Sequence, residues 1–359
     1  MKNNPRVLIA MSGGVDSSTA AMLLIQQGFE CAGAMMKLFE NYDVGVCSDK
    51  SCCSLDDAED ARTIALKLGI PFYIFNFAAE FKKQVMEPFV SYYLNGKTPN
   101  PCIECNRHLK FENFLTRASL MGYDYMATGH YARITQDPIS KRYLLKKGVD
   151  AYKDQSYVLY SMQQEQLAHT LFPLGELRKE QVRELAYNNN FINYHKQDSQ
   201  DICFVRDGNY ANFIETYTGQ LLKKGRFTDT SGHNLGEHKG IGHYTVGQRK
   251  GLGLAMPFPV YVCSINAETN TVTVGQEREL YSKILTAGNI NLIPLPHIDT
   301  SLRVKAKLRY KHQEQPATVR QLDADLIRVE FDQPQRAITK GQAVVLYDED
   351  LVIGGGTIL

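Results

Sequence analysis

Arg6-Val7-Leu8-Ile9-Ala10-Met11-Ser12-Gly13-Gly14-Val15-Asp16-Ser17-Ser18 is the stretch whose reading decides the fold. Val7 to Met11 is a short apolar run, as expected of a strand buried on both faces of a parallel sheet. Ser12-Gly13-Gly14 breaks it. Ser17 to Gln27 then predicts a helix carrying Ala20, Ala21, Leu23 and Leu24, with Gly28 at its C-terminal end. A strand, a Gly-Gly turn and a helix N-terminus together make an anion cradle. Backbone N–H groups converge there, and the helix dipole favours negative charge. An ordinary strand-to-helix turn with Asp16 or Ser17 as N-cap is the plainer reading, but it leaves the density of glycines and hydroxyls unexplained.

Outward from this stretch, strands and helices alternate. Cys31–Lys37 and Phe72–Phe75 read as strands, Leu55–Leu68 and Phe81–Leu94 as helices. A loop follows, then a helix over Phe111–Met121 and a strand over Tyr125–Thr128 leading into Gly129-His130-Tyr131. This pattern predicts βαβ units and an α/β, doubly wound parallel sheet. The ends of the strands at Ser12, Met36 and Gly129 then share one carboxyl edge, where such sheets bind ligands. Arg142–Lys147 reads as a further strand, and the stretch to Phe191 as mostly helical.

From Lys223 the texture changes to a glycine-rich β or loop module, and beyond about Leu285 short strands set apart by turn residues predict an antiparallel β-barrel. The expected domains are 1–205, 206–284 and 285–359. One barrel strand alternates Arg303, Lys305, Lys307, Arg309 and Lys311 with Val304, Ala306, Leu308 and Tyr310. Five cations on one face are either a solvated surface or a track for phosphates.

The 359 residues are 43% hydrophobic and 22% charged, ordinary for a soluble globular protein of more than one domain. A net charge of +1 requires any nucleic-acid surface to be a local patch. No apolar run approaches ~18 residues and the N-terminus resembles no signal peptide, so a cytoplasmic protein without membrane partners is expected. Its eight cysteines are then thiols, ligands or catalytic groups, not a disulfide framework. Cys47, Cys52 and Cys53 fall in a polar loop. Cys102 and Cys105 form a lone C-x-x-C after Thr98-Pro99-Asn100-Pro101, and Cys203 sits in Asp198-Ser199-Gln200-Asp201-Ile202-Cys203-Phe204. A structural zinc site would need a second pair of ligands. Placed in polar loops, Cys105 and Cys203 read as accessible thiols.

Ser12-Gly13-Gly14-Val15-Asp16-Ser17 resembles the loop of the PP-loop ATP pyrophosphatases. Several further segments extend the likeness: Thr98 to Pro101 with Cys105-Asn106, Ala127 to Tyr131, Lys153 to Tyr157, Ile202-Cys203-Phe204, Gly247 to Gly253 and Gly354-Gly355-Gly356. Together these resemble the bacterial tRNA-specific 2-thiouridylases from the first strand to the last. The resemblance implies a PP-loop domain, a small central module and a C-terminal barrel, and thiolation of C2 of the wobble uridine, position 34, in tRNAs for Lys, Glu and Gln. It implies that Ala10, Met11, Ser12, Gly13, Gly14, Val15, Asp16, Ser17, Met36 and Gly129 bind ATP with Mg²⁺. Asn100, Pro101 and Cys102 would border the target base, although many members carry Asp where Cys102 stands. His130, Lys153, Asp154, Gln155, Arg309, Tyr310 and Gln342 would touch tRNA. Cys105 matches the family's nucleophile and Cys203 its persulfide carrier, loaded by a sulfur donor such as a cysteine desulfurase or sulfur-relay protein.

Three other readings stay open at this stage. Cys102, Cys105 and Cys203 could ligate a [4Fe–4S] cluster carrying hydrosulfide for the same reaction. A PP-loop ligase forming a C–N bond would not need Cys203. A non-enzymatic RNA-binding or iron–sulfur sensor protein, using the Lys305 strand and the cysteines, would not need the Ser12–Ser17 loop.

Overall fold

The computed structural model describes residues 4–40, 55–197, 202–205 and 208–359. The loop holding Cys47, Cys52 and Cys53, and the segment Asp198 to Asp201, lie outside these residues. The chain divides into two compact units. One comprises Met1–Val85, Cys102–Phe204 and Asp350–Val352; the other comprises Met86–Pro101, Val205–Glu349 and Ile353–Leu359.

In the first unit, β1 (Arg6–Ala10), β2 (Glu30–Lys37), β3 (Phe72–Asn76) and β4 (Tyr125–Ala127) belong to one parallel sheet. A hairpin of β5 (Ala132–Gln136) and β6 (Tyr143–Lys147) lies outside this sheet and pairs at Lys146 with Leu351, and β7 (Thr170–Leu171) completes the parallel sheet in the order β3-β2-β1-β4-β7. Strand order reverses about β1, which places a crevice beyond the carboxyl ends of β1 and β4. Val7, Leu8 and Ile9 have no exposed surface, as the uninterrupted apolar run requires. Each such buried aliphatic side chain contributes roughly 1.5–3 kcal/mol. Helices α1 (Val15–Gln26) and α2 (Leu55–Leu68) pack on this core through Ala21, Leu24, Ala61, Ile64 and Ala65.

Three expectations change. The helix expected to start at Phe111 begins ten residues earlier. Pro101–Glu104, Cys105–Phe114 and Leu115–Leu120 run on from one another, the middle piece wound at π pitch. Proline at the first helical position loses no hydrogen bond, so Pro101 starts a helix where a loop was expected. The helix expected over Phe81–Leu94 likewise starts at Ala78, with a π turn over Lys82–Met86. The stretch from 142 to 191 is less helical than expected, with short helices at Ser156–Leu159, Gln164–Ala168 and Lys179–Asn188 separated by coil and β7.

The second unit holds two sheets. β8 (Gly225–Thr228), β9 (Asn234–His238), β10 (Tyr261–Asn266) and β11 (Thr271–Gly275) form a four-stranded sheet around Phe227, Tyr244, Val262, Val272 and Val274. Its β8 and β11 are parallel. Then β12 (Tyr281–Leu292), β13 (Leu302–Lys307), β14 (Gln315–Asp323), β15 (Leu326–Arg336), β16 (Ala343–Asp348) and β17 (Leu351–Ile358) form the barrel, closed by pairing of β12 with β17. Closure removes the exposed edges that an open sheet would present.

The basic strand is shorter than its alternation predicts. β13 ends at Lys307 and the chain bends through 308–312, so Arg309 and Lys311 leave the row that Arg303, Lys305 and Lys307 share. Arg303 is held by Asp332 through bonds of 2.8 and 2.9 Å. Arg309 donates to the Ala337 carbonyl at 2.8 Å and to Thr339 Oγ1 at 3.0 Å.

Candidate functional site

The strand, turn and helix predicted from Arg6 to Ser18 assemble at the carboxyl edge of β1. Gly13 takes a φ of +76°, and a Cβ there would strike the backbone carbonyl of Asp57, so only glycine fits. Gly14 caps α1 with extended backbone and no side-chain acceptor, which leaves the first helical N–H groups facing the turn. Ser17 Oγ accepts from the Ser12 N–H at 3.2 Å and donates to the Gly14 carbonyl at 3.1 Å, bracing the turn from inside. Met11 and Val15 are buried, so their side chains belong to the core and only their backbone can meet a ligand. Gly129, after β4, backs onto the same turn. A Cβ there would come within 2.8 Å of the Ser17 nitrogen.

Four side chains to which sequence reasoning gave no role, Asn193, Lys196, Lys179 and Tyr131, support this turn. Asn193, 2% exposed, donates to the Gly13 carbonyl at 3.0 Å and to Ser18 Oγ at 2.9 Å. Lys196 reaches Asp57 Oδ1 at 2.5 Å and Asp60 Oδ2 at 2.7 Å, with a longer bond of 3.4 Å to the Gly13 carbonyl. Burial works against its charge, but the bonds to Asp57 and Asp60 outweigh that and hold its pKa above the usual lysine value. Asp16 is gripped twice by Lys179 Nζ, at 2.7 and 2.8 Å, and once by the Tyr131 hydroxyl at 2.8 Å. Lys179 follows an ordinary helix-start sequence 163 residues from Asp16, and nothing local in the chain marks it.

His130 lies beneath, 6% exposed, with Nδ1 2.6 Å from Thr128 Oγ1 and its ring against Phe111 and Phe172. Burial, with Lys110 nearby, holds its pKa well below the usual histidine value, so it is neutral at physiological pH. It faces protein.

Cys102 and Cys105 sit on firmer structure than the expected loop. Cys102 and Cys105 lie three residues apart at the start of the Pro101 helix, on one face. Cys102 is exposed by area although protein surrounds its sulfur; that crowding raises its pKa, and Lys110 partly offsets the rise. Cys105 and Cys203 are half-buried thiols. Cys203 lies in a short turn fixed by Phe204, which is buried edge-on against Phe81 with ring centres 5.6 Å apart. Among the described residues no three His, Cys, Asp or Glu side chains converge as metal donors. Cys102, Cys105 and Cys203 therefore do not form the ligand set of a cluster, and the iron–sulfur expectation is not met by this arrangement.

The other expected residues fall into two groups. Asp154 is buried and accepts from the Gly148 and Ser156 N–H groups at 3.0 and 3.1 Å, so it shapes its loop. Gln155 accepts from the Tyr131 N–H at 3.0 Å, and Lys153 is half-buried beside it. In the second unit, Gln342 Nε2 donates to the carbonyls of Thr98 and Pro99 at 3.1 and 3.0 Å, clamping the approach to Asn100 and Pro101. Tyr310 is 36% exposed at the bend after β13. Met36 lies near the carboxyl end of β2 beside Phe75.

Comparison with known proteins agrees along the whole chain. Residues 5–207 match the model of a tRNA methyl transferase HUP domain, 211–276 a tRNA methyl transferase PRC-barrel domain, and 282–358 an aminomethyltransferase beta-barrel domain. A tRNA-specific 2-thiouridylase MnmA of Clostridioides difficile is 50% identical over 99% of this chain and 98% of its own. One of Acetivibrio thermocellus is 52% identical over 98% of this chain and 99% of its own. A 4-thiouridine synthetase solved with RNA and bound ATP is 17% identical over 56% of this chain and 45% of that one, with a TM-score of 0.35, too loose a likeness to bear on the argument.

Proposed function

The chain belongs to the tRNA-specific 2-thiouridylase family, and from that premise we propose how its residues divide the work of an ATP-dependent tRNA sulfurtransferase. The enzyme forms 2-thiouridine in tRNA at the expense of ATP. The observation that carries this is about 50% identity to named 2-thiouridylases over nearly the full length of both chains.

In this reading the uridine is U34 of the tRNAs for Lys, Glu and Gln, and its C2 oxygen attacks the α-phosphorus of ATP. Pyrophosphate leaves into the turn from Ser12 to Ser17, where backbone N–H groups and the α1 dipole meet its charge. Ala10 to Ser17, Met36 and Gly129 frame the nucleotide. Asp16 would be the carboxylate that holds Mg²⁺, whose charge would neutralise the phosphates.

Sulfur follows. Cys203 carries it as a persulfide received from a donor protein, and the Cys105 thiolate attacks Cys203 Sγ. The Cys105–Cys203 disulfide forms, hydrosulfide leaves, and the hydrosulfide displaces AMP from C2. A later reductant restores the two thiols. Cys102, with Asn100 and Pro101, borders the base. Lys153, Gln155, Tyr310 and Gln342 serve tRNA docking, Gln342 by fixing the Thr98–Pro99 backbone, while Asp154, His130 and Arg309 hold the surfaces that dock. The work divides among modules meeting near residues 206 and 285.

The test is mass spectrometry of tRNA nucleosides after incubation with enzyme, ATP, Mg²⁺ and a persulfide source. Thiouridine at U34, dependent on ATP and on Cys203, supports the reading; thiolation by Cys203→Ser at the wild-type rate contradicts it.

A further inference from the structure

Asp16 is reached from one neighbouring segment by two separate routes. Asp150 Oδ2 accepts from the Lys179 backbone N–H at 2.9 Å, while Asp150 Oδ1 accepts from Tyr152 N–H at 3.0 Å and from Lys153 N–H at 3.3 Å. One carboxylate thus ties a tight turn to the first residue of the Lys179–Asn188 helix, and Lys179 Nζ holds Asp16. Two residues past that turn, Gln155 exchanges hydrogen bonds with Tyr131 in both directions, each of 3.0 Å, and the Tyr131 hydroxyl holds the other side of the same Asp16 oxygen. Both groups that orient Asp16 are therefore anchored to residues 150–155.

The turn itself is built to be touched. Tyr152 is 97% exposed, the most exposed aromatic side chain among the described residues, yet its backbone is pinned by Asp150. Exposing a full ring at a fixed position suits stacking on an unpaired base, and Lys153 and the exposed Arg178 supply charge for adjacent phosphates.

We propose that Tyr152 adds a base-stacking platform to the tRNA contact already read at Lys153 and Gln155, and that Lys179 and Tyr131 are positioning residues that transmit its occupancy to Asp16. This rests on the tRNA reading above. By reciprocity, nucleotide in the Ser12–Ser17 turn then tightens RNA binding at Tyr152 by the factor with which RNA tightens nucleotide binding.

The experiment measures the dissociation constant for unmodified tRNA with and without an ATP analogue bearing a methylene between the α- and β-phosphorus. The wild type should bind tRNA about 5- to 150-fold tighter with the analogue. Tyr152→Ala should weaken binding about 5- to 150-fold without analogue, and Tyr152→Phe should restore it. Asp150→Asn keeps one acceptor oxygen, so the turn can stay formed while the Lys179 N–H loses its partner; its analogue effect should fall toward one-fold. Lys179→Met should do the same, and if that variant does not fold, Asp150→Asn carries the test. A wild-type analogue effect retained in Asp150→Asn, or unaltered tRNA binding by Tyr152→Ala, overturns the proposal. Wild-type tRNA binding with no analogue effect defeats this inference alone, whereas no tRNA binding at all defeats the functional reading beneath it.

Discussion

The turn from Ser12 to Ser17 and the cysteine region are built from different parts. Around the turn, Ser17, Asn193, Lys196, Lys179 and Tyr131 fix the backbone or its carboxylate from several sides. Such a site has its dipoles in place before charge develops, which is what stabilising a departing pyrophosphate requires. In the cysteine region, Cys102 and Cys105 stand on a helix that starts at Pro101, and Cys203 on a turn whose anchor is Phe204. A relay thiol must change covalent partners, so what it needs from the fold is a defined starting position. Phosphate chemistry takes a rigid polar frame; sulfur chemistry takes thiols brought to fixed places on a helix and a turn.

Replacing sulfur should expose this division most sharply. Cys203→Ser and Cys105→Ser should each lower thiolation by 10³-fold or more, on the order expected for loss of a covalent nucleophile, while ATP affinity stays within about twofold. Cys102→Ala should retain substantial thiolation, and loss comparable to Cys105→Ser would move Cys102 into the relay. The complementary break is on the rigid side. Asp16→Ala should lower AMP formation roughly 10²- to 10³-fold while a persulfide mass adduct still forms on Cys203. Gly13→Ala should act in the same direction through a clash with the Asp57 carbonyl. Undiminished AMP release by Asp16→Ala removes that residue from the adenylation step.

A smaller effect is expected from the barrel. Replacing Lys305 and Lys307 together should flatten the salt dependence of tRNA binding by up to about one unit per lost phosphate contact. Arg303→Ala should leave the slope unchanged, because Asp332 already neutralises that guanidinium. Equal slopes for the wild type and both variants return the strand to solvated surface.

The smallest expected effect is a pH dependence of stability. Burial depresses the folded pKa of His130, so its contribution is complete above the unfolded value near 6.5 and is lost as pH falls below it toward the folded value. The loss is at most about 1.4 kcal/mol per pH unit. His130→Asn should flatten the acid limb of a denaturation series between pH 6.5 and 5; an unchanged limb assigns the acid sensitivity elsewhere.

The same contrast explains what the chain discloses before it folds. Val7 to Ala10 and the Gly-Gly turn are legible because an apolar run and a positive φ are local demands. The closed barrel is legible from its alternating strands. The helix at Pro101 is not, since Cys102 to Lys110 is mostly polar and its π pitch departs from the 3.6-residue period on which sequence reading depends. Period-two alternation holds through Lys307, but it carries no sign of the bend that removes Arg309 and Lys311. The parallel pairing of β8 with β11 joins residues 45 apart, and the grip of Lys179 on Asp16 spans 163. Such ties are decided by tertiary packing alone.

The central claim is that AMP departs carrying the uracil C2 oxygen and that cysteine-borne sulfur takes its place. It is tested most directly with tRNA whose U34 bears ¹⁸O at C2, turned over with ATP and persulfide-loaded enzyme in unlabelled water. The account predicts ¹⁸O in the phosphate of the released AMP, in step with 2-thiouridine formed. Unlabelled AMP alongside 2-thiouridine would contradict it.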